Sequence, residues 1–270
     1  MPAQQRGPAI HSFKTWDELE IAYHEWGERS ATEIPVVLHH GFVADAPTNW
    51  HATGIVGALL ARGRWVVGPD ARGHGLSEKP YDSTRYGEQA MARDLAALVD
   101  HLGAERIDLA GYSMGAIVSL LFAAADPRVR RLVVGGVGAG VVECGGVDRR
   151  AVSNESIIQA LSAEDAASLQ QPDARSFRLL ADALGADRRA LLAQASSVYR
   201  GGVALDRITA PTLVIAGEED PLAVRPQVLA DAIPDGSLKL TSGDHMSALA
   251  DPGFTTALVD FLCMPGLDEQ

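Results

Sequence analysis

Five short apolar runs, each ending in a glycine-bearing loop, constrain this chain more than any other feature. They are "PVVLHHG", "RWVVGPDARGHG", "IDLAGYSMG", "VRRLVVGGV" and "APTLVIAGEED". Their length and bounding turn residues read as buried strands. Helical patterns lie between them. Thr84 to Leu102 puts Met91, Leu95, Leu98 and Leu102 on one stripe and stops at Gly103, while Asn49 to Ala61 has helical spacing and stops at Gly63. Strands alternating with helices imply an α/β protein, a mostly parallel twisted sheet flanked by helices with right-handed crossovers. A β-hairpin over residues 10 to 27, a last strand in "GSLKLTSGDH" and a closing helix in "DPGFTTALVDFL" complete the pattern. A chain of 270 residues is long enough to bury a sizeable core of this kind.

The rhythm changes after Val141. Residues 142 to 205 lose the strand signal and become short alanine-rich helical patches: "SNESIIQALSA", "DARSFRLLADALG" and "DRRALLAQASSVYRGG". The expected organisation is a core of residues 1–141 and 206–270, with a helical lid of residues 142–205 inserted before the last two strands.

"GYSMG", residues 111 to 115, places one hydroxyl where a strand pattern becomes a helix pattern. So abrupt a corner leaves no room for side chains beside it, which accounts for Gly111 and Gly115. Two readings of Ser113 follow. Its hydroxyl stands exposed ahead of a helix N-terminus, suited to attack an electrophile, or it caps that helix.

A serine hydroxyl needs a base to take its proton, and the base works best when a carboxylate orients it. Of eight histidines, His11 and His24 read as sheet-surface residues of the hairpin. His51 opens a helix, His101 sits in the last turn of one, and His74 occupies a glycine-rich loop. His245 differs, because "SGDHMSALADP" puts it in the loop directly after the last strand. Parallel strands share one C-terminal edge, so this loop and the Ser113 corner can meet. Asp220 follows "TLVIAG" on that edge, either as the orienting carboxylate or as the N-cap of a helix starting at Pro221. Glu218 and Glu219 precede the turn and face solvent.

The order Ser113, Asp220, His245, with the elbow "GYSMG" and an upstream "HGF", resembles the α/β-hydrolase family. The resemblance runs over nearly the whole chain, from "VVLHHGF" through "GPDARGHGLS" to "GDHMS", and is least specific in residues 142 to 205. It implies a serine esterase-like member with Ser113, Asp220 and His245 as catalytic residues. It also implies an oxyanion hole formed by the backbone N–H groups of Phe42 and Met114, with Phe42 walling an acyl pocket. A small-molecule acyl substrate and no cofactor are expected. Relatives that use a carboxylate nucleophile, the dehalogenases and epoxide hydrolases, are disfavoured by serine at position 113. Perhydrolases of the haloperoxidase type, carbon–carbon bond hydrolases and non-catalytic ligand receptors share the fold and stay open as alternatives.

Composition excludes other classes. A net charge of −12 with only scattered basic pairs disfavours a nucleic-acid partner, which needs clustered Lys and Arg. The Arg128, Arg130 and Arg131 cluster and the Arg149–Arg150 pair read as solvated faces. Only Cys144 and Cys263 are present, so no disulfide framework is expected. Cys144 reads as a small buried hydrophobe. No cysteine pairing or His-Glu helix motif suggests a metal. The longest apolar run, Leu132 to Val142, is too short for a membrane span, and the N-terminus lacks an apolar signal region; a cytoplasmic location is expected.

Overall fold

The computed structural model describes residues 7–29, 33–148, 150–197 and 201–264. The N-terminal stretch 1–6, Arg149 and residues 198–200, which fall in the third of the expected helical patches, therefore lie outside the described residues. An antiparallel hairpin, β1 (Ala9–Lys14) and β2 (Glu20–Trp26), opens the sheet. Then follow β3 (Val36–His39), α1 (Ile55–Leu60), β4 (Val66–Pro69), α2 (Glu88–Leu102), β5 (Ile107–Tyr112), α3 (Met114–Ala123) and β6 (Val129–Gly135). Four helices come next: α4 (Ala139–Cys144), α5 (Asn154–Ser162), α6 (Pro172–Ala183) and α7 (Arg188–Ala195). The chain closes with β7 (Thr212–Gly217), α8 (Pro226–Asp231), β8 (Gly236–Thr241) and α9 (Pro252–Leu262).

The eight strands form one sheet in the order β1-β2-β4-β3-β5-β6-β7-β8. From β4 to β8 every pairing is parallel, and the hairpin joins antiparallel through β2 and β4. Strand alternation sends successive side chains to opposite faces, and both faces are covered. Val37, Leu109, Val134 and Val214 pack with Leu95, Leu98 and Ile117 of α2 and α3. Val36, Leu38, Ala110, Val133 and Ile215 pack on the other face with Ile55 and Leu59 of α1 and Phe254 and Leu258 of α9. The central strand β5 is buried along its whole length, so its C-terminal end is held rigidly in the middle of the sheet edge.

Several local expectations are corrected. Asn49 to Ala61 is not one helix, because a short turn over Pro47–His51 ends before Gly54, whose φ of 86° breaks the path ahead of α1. His51 thus closes a turn rather than opening a helix. The long helix begins at Glu88, not Thr84, because Gly87 at φ 115° separates it from the turn Ser83–Arg85. No helix starts at Pro221; α8 begins at Pro226. His24 is buried, 3.1 Å from a carboxylate oxygen of Asp70. The arginines after α3 are not merely solvated. Arg130 donates to the buried Asp108 at 2.5 and 2.8 Å, and Arg128 pairs with Asp126 and Asp100. Cys144 is partly exposed rather than buried.

Candidate active site

The corner after β5 is built by close approach. A side chain on Gly111 would run into the backbone of Gly115 and the hydroxyl of Ser119, and one on Gly115 into the carbonyl oxygens of His39 and His40. Between these glycines Ser113 takes φ 53° and ψ −115°, a conformation that costs a non-glycine residue on the order of 1–3 kcal/mol. Its N–H is pinned to the Gly135 carbonyl of β6 at 2.8 Å, and its own carbonyl accepts from Ala116 and Ile117. The hydroxyl makes no capping bond to α3. It lies instead 3.0 Å from Nε2 of His245.

His245 reaches Ser113 from the loop after β8. Its Nδ1 lies 2.9 and 3.1 Å from the two carboxylate oxygens of Asp220, in the loop after β7. Three sheet-edge loops therefore converge on one hydrogen-bonded line, Asp220–His245–Ser113. Asp220 is buried, while the His245 side chain remains 18% exposed. No helix follows directly for Asp220 to cap, but its Oδ1 accepts from the Leu222 N–H at 2.8 Å. That second bond fixes the carboxylate plane that faces the imidazole. Glu218 and Glu219 are exposed.

The loop after β3 runs against the same corner. A Cβ on Gly41 would come up against the Tyr112 carbonyl and the Ser113 Cβ, and the Gly41 N–H donates to Oδ1 of the buried Asn49 at 2.6 Å. Among the described residues the N–H groups of Phe42 and Met114 donate to nothing. Phe42 stacks on Phe177 of α6, ring centroids 5.8 Å apart. Val43 holds φ 74°, a strained value for a β-branched residue, and donates its N–H to Nε2 of His74 at 3.3 Å. His74 can accept there because it is neutral. Burial, helped by neighbouring His40, pushes its pKa down to about 3, and Nδ1–H donates to the Arg72 carbonyl. Beyond Val43, a cleft of about 330 Å³ opens between this loop, the His74 loop and the α6–α7 connection.

A family profile described as "alpha/beta hydrolase fold" matches residues 34–137, the segment from β3 through the elbow to β6. A solved hydrolase from Pseudomonas aeruginosa superposes with a TM-score of 0.76 at 27% identity, over 94% of this chain and 98% of that one. The chain has the alpha/beta hydrolase fold. Among curated proteins it is 40% identical over 132 residues to a 2-hydroxy-6-oxo-2,4-heptadienoate hydrolase from Pseudomonas putida, covering 48% of this chain and 46% of that protein. It is also 35% identical over 122 residues to a non-heme chloroperoxidase from Streptomyces lividans, covering 44% and 42%. The match thus spans under half the length of these curated relatives.

In this alpha/beta hydrolase-fold chain, sequence reading missed three residues that hold the site. Tyr112 donates its hydroxyl to the His245 carbonyl at 2.6 Å and lays its ring 5.2 Å from the imidazole. Burial pushes the Tyr112 phenol up, so it stays a neutral donor. Gly136, at φ 68°, leaves space where a side chain would meet Tyr112 and His245. Asn49 braces Gly41, as above. The available signal for Tyr112 was its place inside a buried strand, where a phenol needs a partner. Among the described residues no group of three or more His, Cys, Asp and Glu is gathered as metal ligands are. Nor is any helix there long and apolar enough to cross a membrane.

Proposed function

We propose that the protein is a serine hydrolase that cleaves a carboxylic ester of a small molecule through an acyl-enzyme. The observation that carries this reading is the unbroken line from the Asp220 carboxylate through His245 to a Ser113 hydroxyl held in a strained corner. Ser113 Oγ attacks the acyl carbon as Nε2 of His245 takes its proton. The resulting oxyanion is held by the N–H groups of Phe42 and Met114, which have no other acceptor among the described residues. Collapse expels the alcohol, protonated by the imidazolium, and leaves the acyl group on Ser113. Water then gives a proton to His245, adds to the acyl carbon and releases the acid, and the proton returns to Ser113. Helices α5 to α7, packed on Phe42 and Val43 through Leu161, Phe177 and Leu191, serve as the lid that bounds the acyl side.

A second reading is favoured by the Pseudomonas putida relative, whose named substrate contains no ester or amide bond. Hydrolysis of such a molecule breaks a carbon–carbon bond beside its ketone. The same serine and base would serve, with a carbon leaving group protonated in place of an alcohol.

The test is a panel of p-nitrophenyl esters of rising chain length, run with and without peroxide, beside a 6-oxo-dienoate. Wild-type protein turns over the esters, and Ser113→Ala retains only a trace, on the order of 10³- to 10⁴-fold over water. A fluorophosphonate forms one stoichiometric adduct on the Ser113 peptide, and His245→Ala abolishes it at neutral pH. Cleavage of the dienoate without ester turnover would decide for the second reading. Persistence of ester activity in Ser113→Ala would refute both.

A further inference from the structure

Helix α7 sets one polar side chain against the residue that follows Ser113. Gln194 is buried, and its amide nitrogen lies 2.8 Å from the Met114 sulfur. Its carboxamide oxygen, also buried, has no hydrogen-bond partner. Its neighbours on the helix, Ala190, Leu191, Ala193 and Ala195, are buried and apolar. A thioether is a weak acceptor, so neither end of this amide is well satisfied. Turning the amide over only exchanges the two deficits, since the oxygen would then face a sulfur and the NH2 would be orphaned. The side chain has no structural duty that leucine could not perform. Its backbone is independently tied, with the Gln194 carbonyl accepting from the N–H and hydroxyl of Ser197.

Buried polar groups without partners are rare in native structures, and each calls for an explanation. This one touches Met114, whose N–H faces the reacting carbonyl in the proposed mechanism. Met114 links the two, its side chain carrying the Gln194 contact and its N–H facing that carbonyl, whereas Phe42, stacked on Phe177, offers only apolar surface. We propose that Gln194 is a specificity-determining residue that accepts a hydrogen bond from an O–H or N–H on the acyl part of the substrate, close to the attacked carbonyl. The preferred substrate class is then the 2-hydroxy- or 2-amino-acyl compound rather than the plain alkanoyl one. This rests on the serine-hydrolase reading given above.

The experiment compares p-nitrophenyl 2-hydroxybutanoate with p-nitrophenyl butanoate on wild-type protein, Gln194→Leu and Gln194→Met. Wild type prefers the hydroxy ester. Both variants lose about ten- to a hundredfold in kcat/KM on it while changing less than about twofold on butanoate, and their Tm is equal or higher. Equal losses on both esters, or a lowered Tm with no change of preference, would make Gln194 a packing residue and overturn the proposal. If wild type turned over neither ester, the ester reading would fail separately. Calorimetric binding of the same pair to Ser113→Ala, with and without Gln194→Leu, would still decide the point. A preference for the hydroxy ester that vanishes with Gln194→Leu supports the assignment, and no preference with Gln194 present refutes it.

Discussion

Asp220 shows how much a single side chain is asked to do. One carboxylate oxygen accepts from the Leu222 N–H, and both face Nδ1 of His245. In Asp220→Asn the amide oxygen can keep the Leu222 bond, so the loop stays folded. The amide NH2 then points at Nδ1 and favours the tautomer that carries its proton on Nε2. That nitrogen can no longer accept from Ser113. A fall in kcat on the order of 10⁴, as in the serine-protease case, is expected with little change in Tm. Glu219→Gln, at an exposed position, leaves kcat unchanged; a matching loss there would move the orienting role to the neighbouring carboxylate. Close approach rather than chemistry governs the glycines of the elbow, because any Cβ at Gly111 or Gly115 meets backbone that cannot yield.

Helices α5, α6 and α7 form a small core of their own over the β3 loop, built on Leu161, Ala181, Leu191 and Ala195 with Val43 beneath. The buried Arg178 ties them together. Its guanidinium pairs with Asp182 and donates to the carbonyls of Ala163 and Glu164 at the end of α5. The aromatic stack of Phe177 on Phe42 joins this layer to the proposed oxyanion loop. Phe177→Ala removes that wall without touching Ser113. The expected result is a shift of the ester panel toward bulkier acyl groups, with a loss of about 2–4 kcal/mol in unfolding free energy because the ring is only partly buried. An unchanged chain-length profile would separate these helices from substrate selection.

Across the whole molecule, the fold buries neutral histidines beside the site. Burial, with the neighbouring His40, pushes His39 down to about 3, and burial lowers His40 as well. His74, at about 3, belongs to the same group. Unfolded, each titrates near 6.5. Below that pH the unfolded chain takes up protons that the folded one refuses, so stability falls with pH between about 6.5 and 3 and is complete above 6.5. Each such group removes up to about 1.4 kcal/mol per pH unit. Asp70 acts lower. Burial alone would raise it, but the bonds from His24, Ala46 and Leu76 hold it at about 2, so its contribution is lost between about pH 4 and 2. Urea midpoints measured at pH 7.5, 6.5 and 5.5 should drop most steeply over the last interval. His74→Gln, which can still accept from Val43 and donate to Arg72, should flatten the slope. Equal midpoints at all three pH values would contradict this account.

Local physics is written along the chain, and it suffices for the order of elements. The apolar runs mark strands β3 to β7, glycine spacing marks the corner at Ser113, and chain order alone puts Asp220 and His245 in loops after late strands. What local pattern cannot carry is distance in space. Ser113 and His245 are separated by 132 positions and meet only because β5 and β8 end on the same edge of one sheet. The bond from Tyr112 to the His245 carbonyl, the burial of His24 on Asp70 and the descent of Gln194 onto Met114 have the same origin. Each depends on which surfaces the packed layers press together. Helices start after Gly54 and Gly87 and at Pro226 rather than at Asn49, Thr84 and Pro221, because amphipathic spacing fixes the face of a helix and not the backbone turn that begins it. Sequence by itself therefore determined the residue types and the edge on which they stand, and tertiary packing decided which of them touch.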